Sequence, residues 1–442
     1  MAKFLNRLFS EYIFYIIVIL FSAQSANFLE NKLFLIFAFG LSVFYYFRKY
    51  KRITKPFEVL LIVWLSINLI AYLTFGNEPN VKFITFFSVT ARMLLPYFFV
   101  RLLGSRFFIK MERIIFYLSL ISLPIFLVQY FKPEIFYGIS STLNYFTIDE
   151  QKANGGWYIG VYMFNGWAPD RNSGFMWEPG AFSFMMLMAL IFRLINNNSI
   201  FDSHVFAYIA GIITTFSTMG YIVLFFVLAA VFVKRTSVVL SLIFLPIILI
   251  IGYSIYSKVD FLGPKIEQYT KEMDRIGRSN EMAGGALRVN RFAILNFAVK
   301  ESIKWPLGYG ILEDTPSHLT LGERLSGSNT LAHILLRWGW VGIILFFISV
   351  RKFVFKYFDS NSFVSKTILI TAILFSVSTY SLLNNTFLLS ILYLPYIKLR
   401  FDDKLRWNSY SKQRKLLYLY YYKQINHKAK TPPILPVDTR LP

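Results

Sequence analysis

Apolar runs close to the ~20 residues that cross a bilayer recur from one end of the chain to the other. They fall at about 11–28, 33–47, 56–75, 83–100, 114–131, 174–192, 205–217, 220–233, 237–256, 331–350, 366–383 and 386–397. A chain patterned this way is expected to be an all-α polytopic integral membrane protein of about twelve transmembrane helices, because helices satisfy their own backbone hydrogen bonds in lipid. The stretch 205–233 decides the count. As one helix it would measure about 45 Å at 1.5 Å per residue, against a ~30 Å hydrocarbon core. Two short spans turning at Ser217-Thr218-Met219-Gly220 are expected instead.

The charges agree. There are 46 Lys and Arg against 24 Asp and Glu, a formal net charge of +22. A surplus of that size suits nucleic acid, or it marks which span ends face the cytoplasm. With Met1 inside and two spans in 205–233, Arg48-Lys49-Tyr50-Lys51-Arg52, the bases of 101–113, Lys234-Arg235, Arg351-Lys352 and the C-terminal tail all lie inside. The outer segments then balance their charges. A single span would put Arg351-Lys352 and the tail outside, against the positive-inside rule. Both termini are therefore expected in the cytoplasm, and no nucleic-acid partner is needed. Residues 1–397 read as the membrane domain and 398–442 as a basic cytoplasmic tail, whose Leu416–Tyr422 run suits an interfacial helix on anionic lipid. Lys3, Arg7 and the small residues Ser22–Ala26 have the outline of a signal peptide. Ahead of a polytopic chain this run is expected to remain as the first span.

Cysteine is absent and the four His are scattered, so neither a thiol nucleophile nor a metal site is expected. Two stretches, 132–172 and 257–330, are too polar for lipid, and both fall outside. Within the second, 287–304 has the spacing of an amphipathic helix, with an expected apolar face of Val289, Phe292, Leu295 and Val299.

Ionisable groups in or beside spans are costly and become site candidates. Arg92 lies midway along its span, where it either bonds carbonyls or serves a site. Glu178 is expected one turn inside the sixth span, before Pro179, a residue suited to a helix start. Arg171 faces the same outer boundary, near Trp157, Trp167 and Trp177, which read chiefly as an interfacial belt. Asn329, His333 and Arg337 are spaced four apart and are expected to form one polar stripe, with Gly339 and Gly342 allowing close packing. Arg171, Glu178, Arg288, Arg291, His318, Ser328, Asn329 and His333, with the turn Pro306-Leu307-Gly308-Tyr309-Gly310, thus converge on the outer boundary. A cationic site there suits a phosphate-bearing amphiphile, since Arg holds phosphate by a planar fork.

At this point the chain resembles the O-antigen polymerase/ligase superfamily of bacterial envelope glycan assembly. RNSGFMWEPGAFSFMMLMAL is similar to its Arg-x-x-Gly…Glu-Pro span opening, and TTFSTMGYIVLFFVL to its Ser-rich junction between short spans. Arg291 followed by Pro306, Gly308 and Gly310 resembles its Arg-led helix ending in Pro-x-Gly-x-Gly. Asn329, Gly339 and Gly342 match the spacing of its His-Asn…Gly-x-x-Gly pattern. Ser328 stands where ligases carry His, and Ser217-Thr218 where many read Ser-Arg. Both departures favour a polymerase of lipid-linked repeat units over a ligase acting on lipid A-core. The Arg-x10-Gly element of some polymerases is absent. A flippase is the alternative outside this chemistry.

The resemblance implies a metal-independent glycosyltransferase at the periplasmic face of the bacterial inner membrane. It joins a polyprenyl-pyrophosphate-linked glycan donor to a similarly linked acceptor, without a cofactor, beside a chain-length regulator and a flippase. Arg291 is expected to stabilise the leaving pyrophosphate, and Glu178 to act as general base with His333 or His318 as alternatives. Arg171, Arg288, Ser328, Asn329, Arg337 and Tyr309 are expected to bind substrate.

Overall fold

A computed structural model describes residues 2–29, 32–50, 52–75, 83–104, 106–196, 202–235, 282–283, 286–312, 314, 316–317, 324–378, 380, 382–383 and 385–397. The chain divides into units Met1–Ile397 and Lys398–Pro442, and the first is the one described. The run at 237–256, His318 and the tail at 398–442 lie outside the described residues.

The chain is mostly helical. Its helices are α1 (Ala2–Ala23), α2 (Lys32–Lys49), α3 (Lys55–Phe75), α4 (Phe83–Leu103), α5 (Arg106–Phe131), the short α6 (Pro133–Gly138), α7 (Ser140–Leu143) and α8 (Asp149–Lys152), then α9 (Pro179–Asn196), α10 (Ser203–Thr214) and α11 (Thr218–Arg235). After them come α12 (Arg291–Lys304), α13 (Thr330–Tyr357), α14 (Phe363–Ser378) and α15 (Thr386–Tyr393). Among the described residues, α3, α4, α5, α11 and α13 are long and apolar enough to cross a membrane. The apolar runs at α9, α10, α14 and α15 form shorter helices.

Two observations explain why this is a membrane-embedded architecture. On α3, Val59, Ile62, Leu69 and Leu73 form an exposed apolar face, which is stable against lipid and costly against water. At the centre, α9 is buried on all sides from Ala181 to Phe192. A helix apolar all round has to be enclosed. Here α5, α10 and α11 enclose it, while α15 fills the corresponding place beside α1, α4 and α13.

The stretch 205–233 is two helices, as its length required. The break falls at Thr215–Ser217, two residues earlier than expected, with Phe216 in the left-handed region at φ 45°. Thr215 Oγ1 donates to the Ile212 carbonyl at 2.7 Å and accepts from the Ser217 amide at 3.3 Å. Ser217 Oγ then accepts from the Gly220 amide at 3.2 Å, capping α11.

The polar segment 132–172 is more ordered than a loop. Its helices α6–α8 and the hairpin of β1 (Trp157–Tyr158) with β2 (Met163–Phe164) enclose Phe136, Trp157, Tyr162 and Phe164. Trp157 is therefore core, not belt: its indole N–H donates to the Phe136 carbonyl at 2.9 Å. Trp167, half exposed, keeps the expected surface position. Burial also holds the Tyr158 and Tyr162 phenols protonated far above their usual range.

The second polar segment holds a small sheet, β3 (Met282–Ala283) antiparallel to β4 (Ala286–Arg288) and β4 parallel to β5 (Arg324–Ser326). The amphipathic helix is present as α12, but rotated from expectation. Its buried face is Ala293, Ile294, Phe297, Ala298 and Glu301, whereas Phe292 is 38% exposed and Leu295 and Val299 sit at the edge. The helix packs against Ala332, Leu335 and Leu336 of α13 through Ile294, Phe297 and Ala298. Periodicity alone weighted Phe292 above Ala293.

Candidate functional site at converging helix starts

Four segments distant in sequence meet at Tyr380, a buried residue in the connection between α14 and α15. Its hydroxyl lies 2.9 Å from Ser217 Oγ, at the start of α11. Gly180, in the first turn of α9, faces the same hydroxyl so closely that a Cβ there would fall 1.9 Å from it. The Arg291 guanidinium, opening α12, stands 4.7 Å from the ring centroid. Thr330, opening α13, donates its hydroxyl hydrogen bond to the Tyr380 carbonyl and accepts from the Leu382 amide at 2.8 Å.

The helix starts are also tied to one another. Asn290 caps α12 by accepting from the Phe292 and Ala293 amides at 2.9 and 2.8 Å. Asn329 caps α13 through the Leu331 and Ala332 amides, and its amide nitrogen donates to the Arg291 carbonyl at 2.9 Å. Several helix N-termini around one guanidinium place partial and full positive charge together, the electrostatics that favour an anion.

Most of the expected residues gather here, with changes in role. Glu178 precedes α9 rather than lying a turn inside a span; its carbonyl accepts from the Phe182 amide. Only Pro179 separates it in sequence from Gly180, the residue that faces the Tyr380 hydroxyl. Arg171 sits on the α10–α11 junction, with Nε donating to the Thr215 carbonyl at 2.9 Å. Asn329 is a fully buried cap and Arg337 is buried, so these two members of the expected stripe face protein. The cap geometry turns the Asn329 side chain back onto its own helix. His333 Nε2 lies 3.1 Å from the Gly327 carbonyl, which fixes the ring beside the start of α13. Ser328 is half-buried beside that cap, and the backbone of Arg288 is in β4 paired with Ser326.

Two expected residues belong elsewhere. The turn Pro306–Gly310 follows the far end of α12, about 20 Å along that helix from Arg291. There it enters a break in α13, where Gly339 has φ 60° and ψ −154°. An unbroken helix would bond the Trp340 amide to the Leu336 carbonyl. Instead the Trp340 amide donates to the Pro306 carbonyl at 2.9 Å, and the Tyr309 amide to the Leu336 carbonyl at 2.6 Å. Tyr309 is thus a docking residue, buried near Glu301, and burial, then the Glu301 charge and hydrogen bond, push its phenol up to about 12. Arg337 is buried at the same level, in a small pocket with Trp64 and Met93. Both lie below the helix starts because the turn packs along α13 instead of folding back over Arg291. Arg92 donates to the Leu29 carbonyl at 3.4 Å, one of the two roles expected of it.

Tyr380 was hidden in the sequence. The apolar run 366–383 reads through it as a span. The signal that exposes it is the polar string Ser376–Ser381 followed by Asn384-Asn385, a break and helix cap. Asn385 does cap α15, accepting from the Leu388 amide at 2.9 Å.

The fold and site define a mostly helical, membrane-embedded protein with a cationic cluster at converging helix starts. No protein-family model matches the chain, and no curated protein or solved structure is significantly similar to it.

Proposed function

We propose that this protein is a membrane polymerase of polyprenyl-pyrophosphate-linked oligosaccharide repeat units, working at the periplasmic face of the bacterial inner membrane. The observation that carries the reading is the meeting of Arg291, the Glu178-Pro179-Gly180 helix start, Ser217 and the Asn329-Thr330 helix start at Tyr380. All four of those segments are ones that carry the sequence resemblance.

In the reaction, an acceptor sugar hydroxyl attacks the anomeric carbon of the donor glycan. The bond from that carbon to the pyrophosphate oxygen breaks, and the pyrophosphate leaves on its polyprenyl carrier with the electron pair. Charge develops on the leaving oxygen, and Arg291, held over the Tyr380 ring and backed by the α12 dipole, is arranged to stabilise it. The hydroxyl proton passes to the Glu178 carboxylate as the new bond forms. His333 is the second candidate base.

Purified protein given a synthetic polyprenyl-pyrophosphate repeat unit is expected to produce a ladder of products. Arg291→Ala should abolish the ladder while the protein folds and accumulates, and Arg291→Lys should restore part of it by supplying charge without the fork. A wild-type protein that forms no ladder, or an Arg291→Ala protein with normal chain lengths, removes the assignment.

A further inference from the structure

A groove of about 240 Å³ separates α3, α13 and α15. Its walls are apolar, with Val59 and Val63 from α3, Ile334 and Leu345 from α13, and Leu389 and Leu392 from α15. Along α13 it extends from Thr330 to Ser349, about 28 Å at 1.5 Å per residue. Its two ends differ. At the Thr330 end the wall residues are buried, and the Thr330 hydroxyl is committed to the Tyr380 carbonyl and the Leu382 amide. At the other end Pro56 and Val59 are exposed, and the groove opens sideways between α3 and α13.

That open end is cationic. Exposed Lys55 opens α3 beside Pro56, and exposed Lys352 stands 4.6 Å from the ring centroid of groove-lining Tyr396. Tyr396 is itself fixed 3.1 Å from Ser349 Oγ. Glu58 is exposed one turn beyond Lys55 but does not line the groove.

We propose that this groove binds an anionic glycerophospholipid, with its phosphate at Lys55 and Lys352 and one acyl chain lying along α13. Three features select this occupant. The lysines complement a phosphate at the open end, and at the closed end the Thr330 hydroxyl is already committed to the Tyr380 carbonyl and the Leu382 amide. The reach also fits: one leaflet of hydrocarbon is about 15 Å deep, and Val341 lies about 16 Å along α13 from Lys352. Trp338, one turn further, lines the groove where such a chain ends. The lysine end lies about 33 Å along α13 from Thr330, the residue the groove shares with the Tyr380 cluster, and lipid binding there does not depend on the reaction proposed at Arg291.

The test is native mass spectrometry of the full chain with phosphatidylglycerol and phosphatidylcholine carrying identical acyl chains. Phosphatidylglycerol should be retained preferentially, each lysine contributing about fivefold, so the exposed-residue variants Lys55→Ala and Lys352→Ala should erode that preference in steps. Phosphatidylglycerol brominated near its chain end should quench part of the tryptophan fluorescence saturably, and Trp338→Phe should remove that part. Leu345→Trp should abolish retention while leaving the thermal transition in place. Equal retention of the two lipids, lysine variants without effect, or quenching unchanged in Trp338→Phe would overturn the proposal. So would displacement of phosphatidylglycerol by a polyprenyl phosphate that binds independently of both lysines, since the groove would then be a carrier site.

Discussion

The Tyr380 hydroxyl faces Ser217 while its ring carries Arg291, so two substitutions separate the two contacts. Tyr380→Phe should cost about 1 kcal/mol of stability, the worth of one buried hydrogen bond, and leave Arg291 over an aromatic face. Tyr380→Leu removes the face as well, an additional ~0.5–2 kcal/mol of cation–π attraction, and frees the guanidinium from its position. Thermal unfolding in detergent reads the first difference and product ladders the second. Leucine with full activity would show that the ring does not position Arg291. Gly180→Ala tests the same spot from α9, because its Cβ would collide with the phenol. For Glu178, substitution by Gln keeps shape and removes the carboxylate. A loss of about 10²-fold or more is expected of a general base, whereas full activity would leave Glu178 as a helix-start residue.

Helix α13 shows how an element can be legible in part. Its apolar run is plain in the sequence, yet the run announces neither the Asn329 cap nor a break at Gly339. The break exists because the turn from Pro306 inserts between Leu336 and Trp340 and takes over both backbone groups. Gly308 and Gly339 are required on geometric grounds: each has positive φ, and a Cβ on Gly339 would lie 1.9 Å from the Pro306 carbonyl. Gly342 differs, since a Cβ there would strike Trp338 of its own helix. Gly339→Ala is expected to destabilise by more than about 2 kcal/mol, from left-handed strain plus the clash. Protease cleavage near 306–310 should rise in step. Unchanged protection would show that the turn docks without the glycine. The rotated face of α12 has the same origin. Hydrophobicity ranks Phe292 above Ala293, but packing on α13 through Ile294, Phe297 and Ala298 turns Phe292 outward and buries Ala293. At the α10–α11 junction, by contrast, span length and charge were enough to expect two helices. Ser217→Ala should cost about 1 kcal/mol there as a lost cap.

Across the whole molecule, the absence of cysteine makes sidedness directly measurable. Single cysteines at exposed Lys300 and Arg351 should react with a membrane-impermeant maleimide from opposite sides of right-side-out vesicles. Labelling of both from one side would reject the orientation drawn from the charge surplus. The sequence by itself determined the mostly helical, membrane-embedded class of fold and the approximate positions of its apolar helices, because apolar run length is set by neighbouring residues alone. It also marked Arg291 and Glu178 as candidate site residues. Only the tertiary structure decided that Tyr380 is the meeting point, that Asn329 is a cap and Trp157 a core residue, and that Tyr309 and Arg337 sit away from Arg291. Those outcomes depend on which helices pack side by side, and a backbone group freed in one segment finds its partner in another hundreds of residues away or just across a turn. Local pattern is silent about such partners.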